Sequence, residues 1–365
     1  MKTIMIYAYS QFNLGDDLFI QILCQRYPHI QFKLYAPRKY NRVFKHLHNL
    51  TIIPSDFFLY RGINYIIRKL GINMYFIRRY VAKQSQAMVY IGGSLFIQSN
   101  DWEAQLKILQ EMQIDGKPFF LIGANFGPYQ TDEFYYAHKQ LFQTYTDICF
   151  RDTYSYQLFN DLPNVRLAED VVFLLNNQQS IKRMDHKPLI VISVINPSNR
   201  EELAHKDEVY YEKIKELIIH FIQHDYQIVL MAFCTYEKDH EAIEAIHQLL
   251  PHHVTQHVST HIYEGDIDQA LQTITKADLV IATRFHAMIL GWVYEKPVFP
   301  IVYSDKMLHV MKDVNFTGSY VDFDSLTLLT PETVISSMQT NMIDLSHRVE
   351  NAQQQFTKLD EYLSK

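Results

Sequence analysis

Short apolar runs alternate with helix-period stretches twice along the chain. The first series reads as strands at Thr3–Tyr9, Gln31–Tyr35, Ala87–Ile91, Pro118–Gly123 and Asp147–Arg151, with a helix over Asp16–Arg26. The second has strands at Pro188–Val194, Gln227–Ala232, Leu279–Thr283 and Val298–Tyr303. Amphipathic periods at Glu208–His224, Lys238–Leu250, Asp266–Lys276 and Ala287–Tyr294 fit helices between those strands. Such alternation is the pattern of parallel sheets wound with helices, so the expected class is α/β, with two Rossmann-like doubly wound domains facing a cleft. The polar segment Asn176–Lys187 divides them into residues 1–180 and 187–330. Residues 331–365 read as two C-terminal helices, the last amphipathic and folded back across both domains. In open α/β sheets ligands bind beyond the carboxyl ends of strands, so chemistry is sought in the loops that follow them.

Composition agrees with two packed cores: of 365 residues 48% are hydrophobic, including 23 Phe and 25 Tyr. Cys24, Cys149 and Cys234 follow no metal or redox spacing and read as reduced thiols of a cytosolic protein. Met1–Tyr9 lacks the basic start and long apolar stretch of a signal peptide. No run approaches the roughly 20 apolar residues of a spanning helix. The expected location is cytoplasmic, either in solution or peripheral at the inner face of the plasma membrane. Net charge is −6, yet Leu18–Asn100 holds twelve Lys and Arg against the single acid Asp56, giving +11 there and −17 elsewhere. A basic first part implies an anionic partner.

The richest junction is Ala282-Thr283-Arg284-Phe285-His286, where a strand ends and a helix begins. A helix N-terminus favours anions, Arg284 adds a planar fork for carboxylate or phosphate, and His286 exchanges protons near neutral pH. The next strand ends in Ser304-Asp305-Lys306, a second cation on the same edge. The alternative is that Arg284 pairs with a carboxylate and His286 caps its helix. After the first strand, Asn13, Asp16 and Asp17 surround Gly15. They suit sugar hydroxyls, while one Asp is equally accounted for by helix capping. Gly92-Gly93 and Gly123-Ala124-Asn125 end further strands as turns or as a cleft floor. Arg151 either reaches the same cleft or pairs with Asp152 or Asp170.

Metal chemistry is not expected: His253, His257 and His261 recur every fourth residue, but His253–Val258 reads as a strand. Tyr60–Val81, if one unbroken helix, aligns Arg61, Arg68 and Arg79, with Tyr65, Ile66, Ile72, Tyr75 and Phe76 supplying apolar surface. Either it lies on an anionic membrane through Arg61–Lys83, or it is an ordinary domain helix with a solvated basic face. The negative overall charge argues against nucleic acid.

Asn13-Leu14-Gly15-Asp16-Asp17, Gly92-Gly93, Arg151-Asp152-Thr153-Tyr154-Ser155, Glu169-Asp170-Val171-Val172-Phe173 and Thr283-Arg284-Phe285-His286 occur in this order. Lys296-Pro297 and Tyr303-Ser304-Asp305-Lys306 follow. Together the segments resemble the polysaccharide pyruvyl transferase family, which usually has Arg-Leu-His where this chain has Arg284-Phe285-His286. The resemblance implies a GT-B-like fold with a basic acceptor-side first domain and a donor-side second domain. It also implies phosphoenolpyruvate as co-substrate; no other cofactor is expected, and the expected acceptor is a sugar that is lipid-linked or nucleotide-linked. Arg284 and His286 would be the catalytic pair, with Lys306, Arg151 and Gly93 also at the donor. Asn13, Asp16, Asp17 and Asn125 would meet the acceptor. Rival readings are a nucleotide-sugar glycosyltransferase of the same architecture and a non-catalytic anion-binding homologue.

Overall fold

The computed structural model describes residues 2–69, 76–175 and 187–365. It consists of two parallel α/β units. The first comprises residues 1–10, 18–174 and 349–365, and the second residues 11–17 and 175–348.

The first unit contains strands β1 (Thr3–Tyr7), β2 (Gln31–Ala36), β3 (Leu50–Pro54), β4 (Ala87–Ile91), β5 (Ser94–Phe96), β6 (Phe119–Phe126), β7 (Asp147–Phe150) and β8 (Val165–Leu167). They form one parallel sheet in the order β3-β2-β1-β4-β6-β7-β8, with β5 beside β6. All eight positions of β6 are buried, as expected of a central parallel strand covered on both faces. Its core is largely aromatic: Phe96, Phe126, Phe142, Phe150 and Phe159 pack edge-to-face or stacked. Residues 349–365 belong to this unit. Gln355 is 1% exposed; its side chain accepts from the Gly123 amide at 2.9 Å and donates to the Ala168 carbonyl at 3.2 Å.

The second unit holds β9 (Leu189–Ser193), β10 (Gln227–Ala232), β11 (Val258–Ile262), β12 (Leu279–Ala282), β13 (Val298–Val302) and β14 (Val321–Asp322). All are parallel, in the order β11-β10-β9-β12-β13-β14. Its core is mostly aliphatic, built on Ile190, Ile192, Ile214, Leu230 and Ile281, with Phe299 among them. The strand order reverses direction between β9 and β12, which makes the gap above their carboxyl ends a topological switch point where ligands bind in such sheets.

Four details differ from the sequence reading. Strands β3, β5, β8, β11 and β14 were not anticipated; β3 and β8 close the two edges of the first sheet and β11 and β14 those of the second. His253 lies in a short helix, His252–Thr255, and the strand begins only at Val258. The basic segment contains two helices, Phe58–Lys69 and Phe76–Gln84. Gly71, Ile72, Asn73 and Tyr75 fall outside the described residues, as does most of the proposed divider Asn176–Lys187. Segment 11–17, expected with the first domain, packs in the second unit.

Candidate functional site

The switch point of the second unit gathers most of the chemistry. β12 ends at Ala282 and the helix Phe285–Val293 starts three residues later. Ser193, the last residue of β9, fixes that turn, its hydroxyl accepting from the amides of Thr283 and Arg284 at 3.1 Å each. Arg284 is 5% exposed. Its Nε donates to Asp239 at 2.9 Å and its Nη1 to Glu237 at 2.6 Å, and a further bond joins Nη2 to Asp239. Lys238 between the two acids has φ 62°, a left-handed kink that turns both carboxylates onto one guanidinium. Burial opposes Arg284's charge, but Asp239 and Glu237 more than offset it and raise its pKa well above the ordinary value. The expectation of an open guanidinium fork is therefore corrected: Arg284 is a paired ion, because a charge this deeply buried must be compensated.

Glu237 has a second partner, Arg200, whose Nη2 donates to it at 2.5 Å. Burial works against its ionisation, yet Arg284 and Arg200 hold its carboxyl down at about 2. The Arg200 guanidinium lies 4.7 Å from the ring centre of Tyr303, and Lys306 Nζ lies 5.2 Å from the same ring. Burial would raise the Tyr303 phenol, but Lys306, Arg200 and Arg284 outweigh it and lower it below its ordinary value. Lys306 thus stands on the same strand edge as Arg284, within 5.9 Å of the Phe285 ring. Two buried polar atoms here, Arg200 Nη1 and Ser304 Oγ, have no hydrogen-bond partner among the described residues.

His286, half-buried in the first turn of its helix, is seated on segment 11–17. A Cβ on Gly15 would fall 1.8 Å from His286 Nδ1, so only glycine allows the imidazole to lie there. The segment is itself pinned: the Leu14 amide donates to the Phe233 carbonyl at 3.1 Å, and Asn13 pairs with Cys234 in an isolated antiparallel bridge. Asp239 holds the amides of Phe233 and Cys234 at 3.1 and 2.9 Å. One buried carboxylate therefore braces both Arg284 and the loop on which the seat of His286 rests. Asn13 Oδ1 accepts from the Gly15 amide at 3.0 Å. Asp17 is fully buried and accepts from the Tyr263 hydroxyl at 2.6 Å. Asp16, 8% exposed, lies in the first turn of the helix Leu14–Arg26. For Asp17 the sugar-binding expectation is corrected, since a carboxylate with no exposure and a tyrosine partner is a structural anchor.

Gly93, Asn125 and Arg151 come together in the first unit. Arg151 donates through Nη1 to Asp170 at 2.8 Å and through Nη2 to Asn125 at 2.6 Å. A Cβ at Gly93 would lie 2.5 Å from its guanidinium. Asp152 caps the following helix through the Ser155 amide at 2.8 Å. Asp170 is thus the partner of Arg151, one of the two the sequence offered, and both side chains are at most 2% exposed.

Arg200, Glu237, Asp239 and Tyr263 were not singled out from sequence, and Tyr303 only as part of a motif. Two acids directly after β10 are the one local signal, since a buried arginine after β12 needs a carboxylate from a neighbouring strand end. Among the described residues no group of three or more His, Cys, Asp or Glu is arranged to hold a metal.

The sequence profile described as polysaccharide pyruvyl transferase matches residues 13–305. The amylovoran biosynthesis protein AmsJ of Erwinia amylovora is 22% identical over 269 residues, 67% of this chain and 63% of AmsJ. The match thus spans less than two thirds of that relative's length. S. aureus MnaA with UDP aligns with 100% of this chain and 97% of its own, at 11% identity and a TM-score of 0.61. Anabaena HepE with UDP-glucose aligns with 100% and 99%, at 12% identity and 0.58. UDP-GlcNAc 2-epimerase of Methanocaldococcus jannaschii aligns with 99% and 100%, at 9% identity and 0.59. At such identities the likeness is one of fold.

Proposed function

The chain belongs to the polysaccharide pyruvyl transferase family, and from that premise we propose that it transfers pyruvate from phosphoenolpyruvate onto a sugar as a cyclic ketal, releasing phosphate. The observation that carries this reading is the switch point of the second unit, where an imidazole seated on Gly15 shares one sheet edge with Arg284 and Lys306. Cations on that edge suit the phosphate and carboxylate of a small enol ester, and His286 suits proton transfer.

The chemistry balances without a redox partner. A proton adds to C3 of the enol, making a methyl group and leaving C2 electrophilic. One sugar hydroxyl forms a C2–O bond and gives up its proton. The C2–O bond to phosphate breaks, a second hydroxyl closes the ring, and its proton leaves with the phosphate. His286 supplies the first proton or receives one from the acceptor. Arg284, held by Asp239 and Glu237, fixes the turn that carries His286, and Lys306 on the same edge supplies positive charge as the phosphate departs.

A lipid-linked acceptor is supported by the helix Phe58–Lys69, on which Arg61, Tyr65 and Lys69 are exposed at four-residue spacing. Phe58 and Leu59 add 71% and 52% exposed apolar side chains. Such a face suits an anionic membrane surface. Arg79 does not extend it, because its guanidinium donates to the carbonyls of Glu111 and Gln113. No helix among the described residues is long and apolar enough to cross a membrane.

Two of the fold neighbours carry UDP or UDP-glucose, so ligand preference is the decisive test. At a hundred times its Kd, phosphoenolpyruvate adds about 2.7 kcal/mol, which raises Tm by about 5–10 °C. Stabilisation by UDP-glucose with none by phosphoenolpyruvate would favour the glycosyltransferase reading instead.

A further inference from the structure

We infer that Arg200 is a further donor-binding residue, which with Ser304 and Lys306 forms a phosphate-binding wall around Tyr303. The inference rests on the reading above only for the identity of the donor.

Arg200 closes the loop that follows β9, and Arg284 the loop that follows β12, so they flank the switch point from its two sides. Their circumstances differ. Arg284 spends Nε, Nη1 and Nη2 on Asp239 and Glu237. Arg200 spends Nη2 on Glu237, while its buried Nη1 has no partner among the described residues. A guanidinium edge fixed at one end and unspent at the other is ready to take an oxyanion. A buried donor of this kind carries a desolvation cost that an anionic ligand removes.

Ser304 supplies the second half. It is the N-cap residue of the helix Asp305–Asp313, yet its side chain makes no capping bond, although serine at this position ordinarily accepts from an amide one turn on. Its hydroxyl is buried and has no partner among the described residues. Both unspent groups border Tyr303: Arg200 stacks 4.7 Å from the ring centre, and Ser304 is the next residue in the chain. Lys306 lies 5.2 Å from the same ring. Three cations, Arg200, Arg284 and Lys306, gather around Tyr303 and Glu237. A phosphate monoester, with several acceptor oxygens and two charges, matches a guanidinium edge, an ammonium and a hydroxyl.

The test uses the full chain with inorganic phosphate and phosphoenolpyruvate as separate probes in titration calorimetry. Arg200→Ala is expected to weaken both by about 10–100-fold with Tm retained, since Glu237 keeps Arg284. Arg200→Lys should recover part of the affinity, charge without the fork. In turnover, Arg200→Ala should raise KM for phosphoenolpyruvate more than it lowers kcat. Wild-type phosphate and phosphoenolpyruvate affinity in a folded Arg200→Ala variant overturns the inference. Should that variant not fold, Ser304→Ala takes its place, and unchanged affinity there overturns it equally. If the wild type binds phosphate through Arg200 yet pyruvylates no acceptor, the anion site stands and the pyruvyltransferase reading falls.

Discussion

Replacing Gly15 with alanine isolates the seat of His286. The new Cβ would lie 1.8 Å from Nδ1 and 2.3 Å from Cε1 and Cγ. The imidazole must retreat by 1.6 Å, the gap between 1.8 Å and the 3.4 Å at which ordinary van der Waals contact begins. Gly15 lies in the first turn of the helix Leu14–Arg26, where alanine is favoured over glycine by up to about 1 kcal/mol. His286 is half-buried, so the ring swings outward rather than into the core. Stability should therefore change little while the proton-transfer geometry is lost. A misplacement of about 1 Å costs roughly a hundredfold in rate, and Gly15→Ala should lower kcat/KM for phosphoenolpyruvate by at least that order. Phosphate release under saturating acceptor reads the effect, with thermal unfolding as the control. Because both changes act on one group, Gly15→Ala with His286→Ala should be no slower than His286→Ala alone. Wild-type turnover in a folded Gly15→Ala protein would refute the assigned role of this contact.

Asp239→Ala removes the main partner of a buried guanidinium and should cost about 3–5 kcal/mol. For a unit of this size that lowers Tm by about 6–20 °C, and an unchanged Tm would contradict the bracing role. Glu237 has its folded-state pKa depressed from 4.5 to about 2, so its contribution is complete above about pH 4.5 and is lost as pH falls through about 2. Glu237→Gln should flatten the stability–pH curve within that window; parallel curves for the two proteins would count against the ion triad. Charge reversal of Arg61 and Lys69 to Glu should reduce flotation with vesicles containing phosphatidylserine, and equal soluble fractions would remove the membrane proposal.

Fold and site were not equally legible in the sequence. Central strands such as β6 and β9 are buried at every position and announce themselves by the apolar runs at 119–122 and 189–192. The edge strand β11, Val-Ser-Thr-His-Ile, exposes Ser259, Thr260 and Ile262, and its polar composition hides it. Arg284 and His286 stood out because a strand ends and a helix starts around them. Arg200 and Glu237 lie between regular elements and Asp239 opens the helix Asp239–Leu249, so no local period marks their meeting, which depends on the β10-β9-β12 strand order. The placement of residues 11–17 likewise rests on packing against Phe233, Cys234 and His286, a long-range consequence that local pattern does not encode. Asp17 illustrates the cost: next to Gly15 it looks like a sugar ligand, and only its bond to Tyr263, distant in sequence, identifies it as an anchor.

The central claim is that this sheet edge converts phosphoenolpyruvate and a sugar into a ketal and phosphate. The direct measurement incubates the full chain with phosphoenolpyruvate and a panel of surface-glycan precursors, then follows free phosphate and the ketal methyl signal of the product by NMR. The account predicts phosphate and ketal in equal amounts from the wild type and roughly a hundredfold less from His286→Ala. Phosphate without ketal, or equal yields from the two proteins, would contradict it.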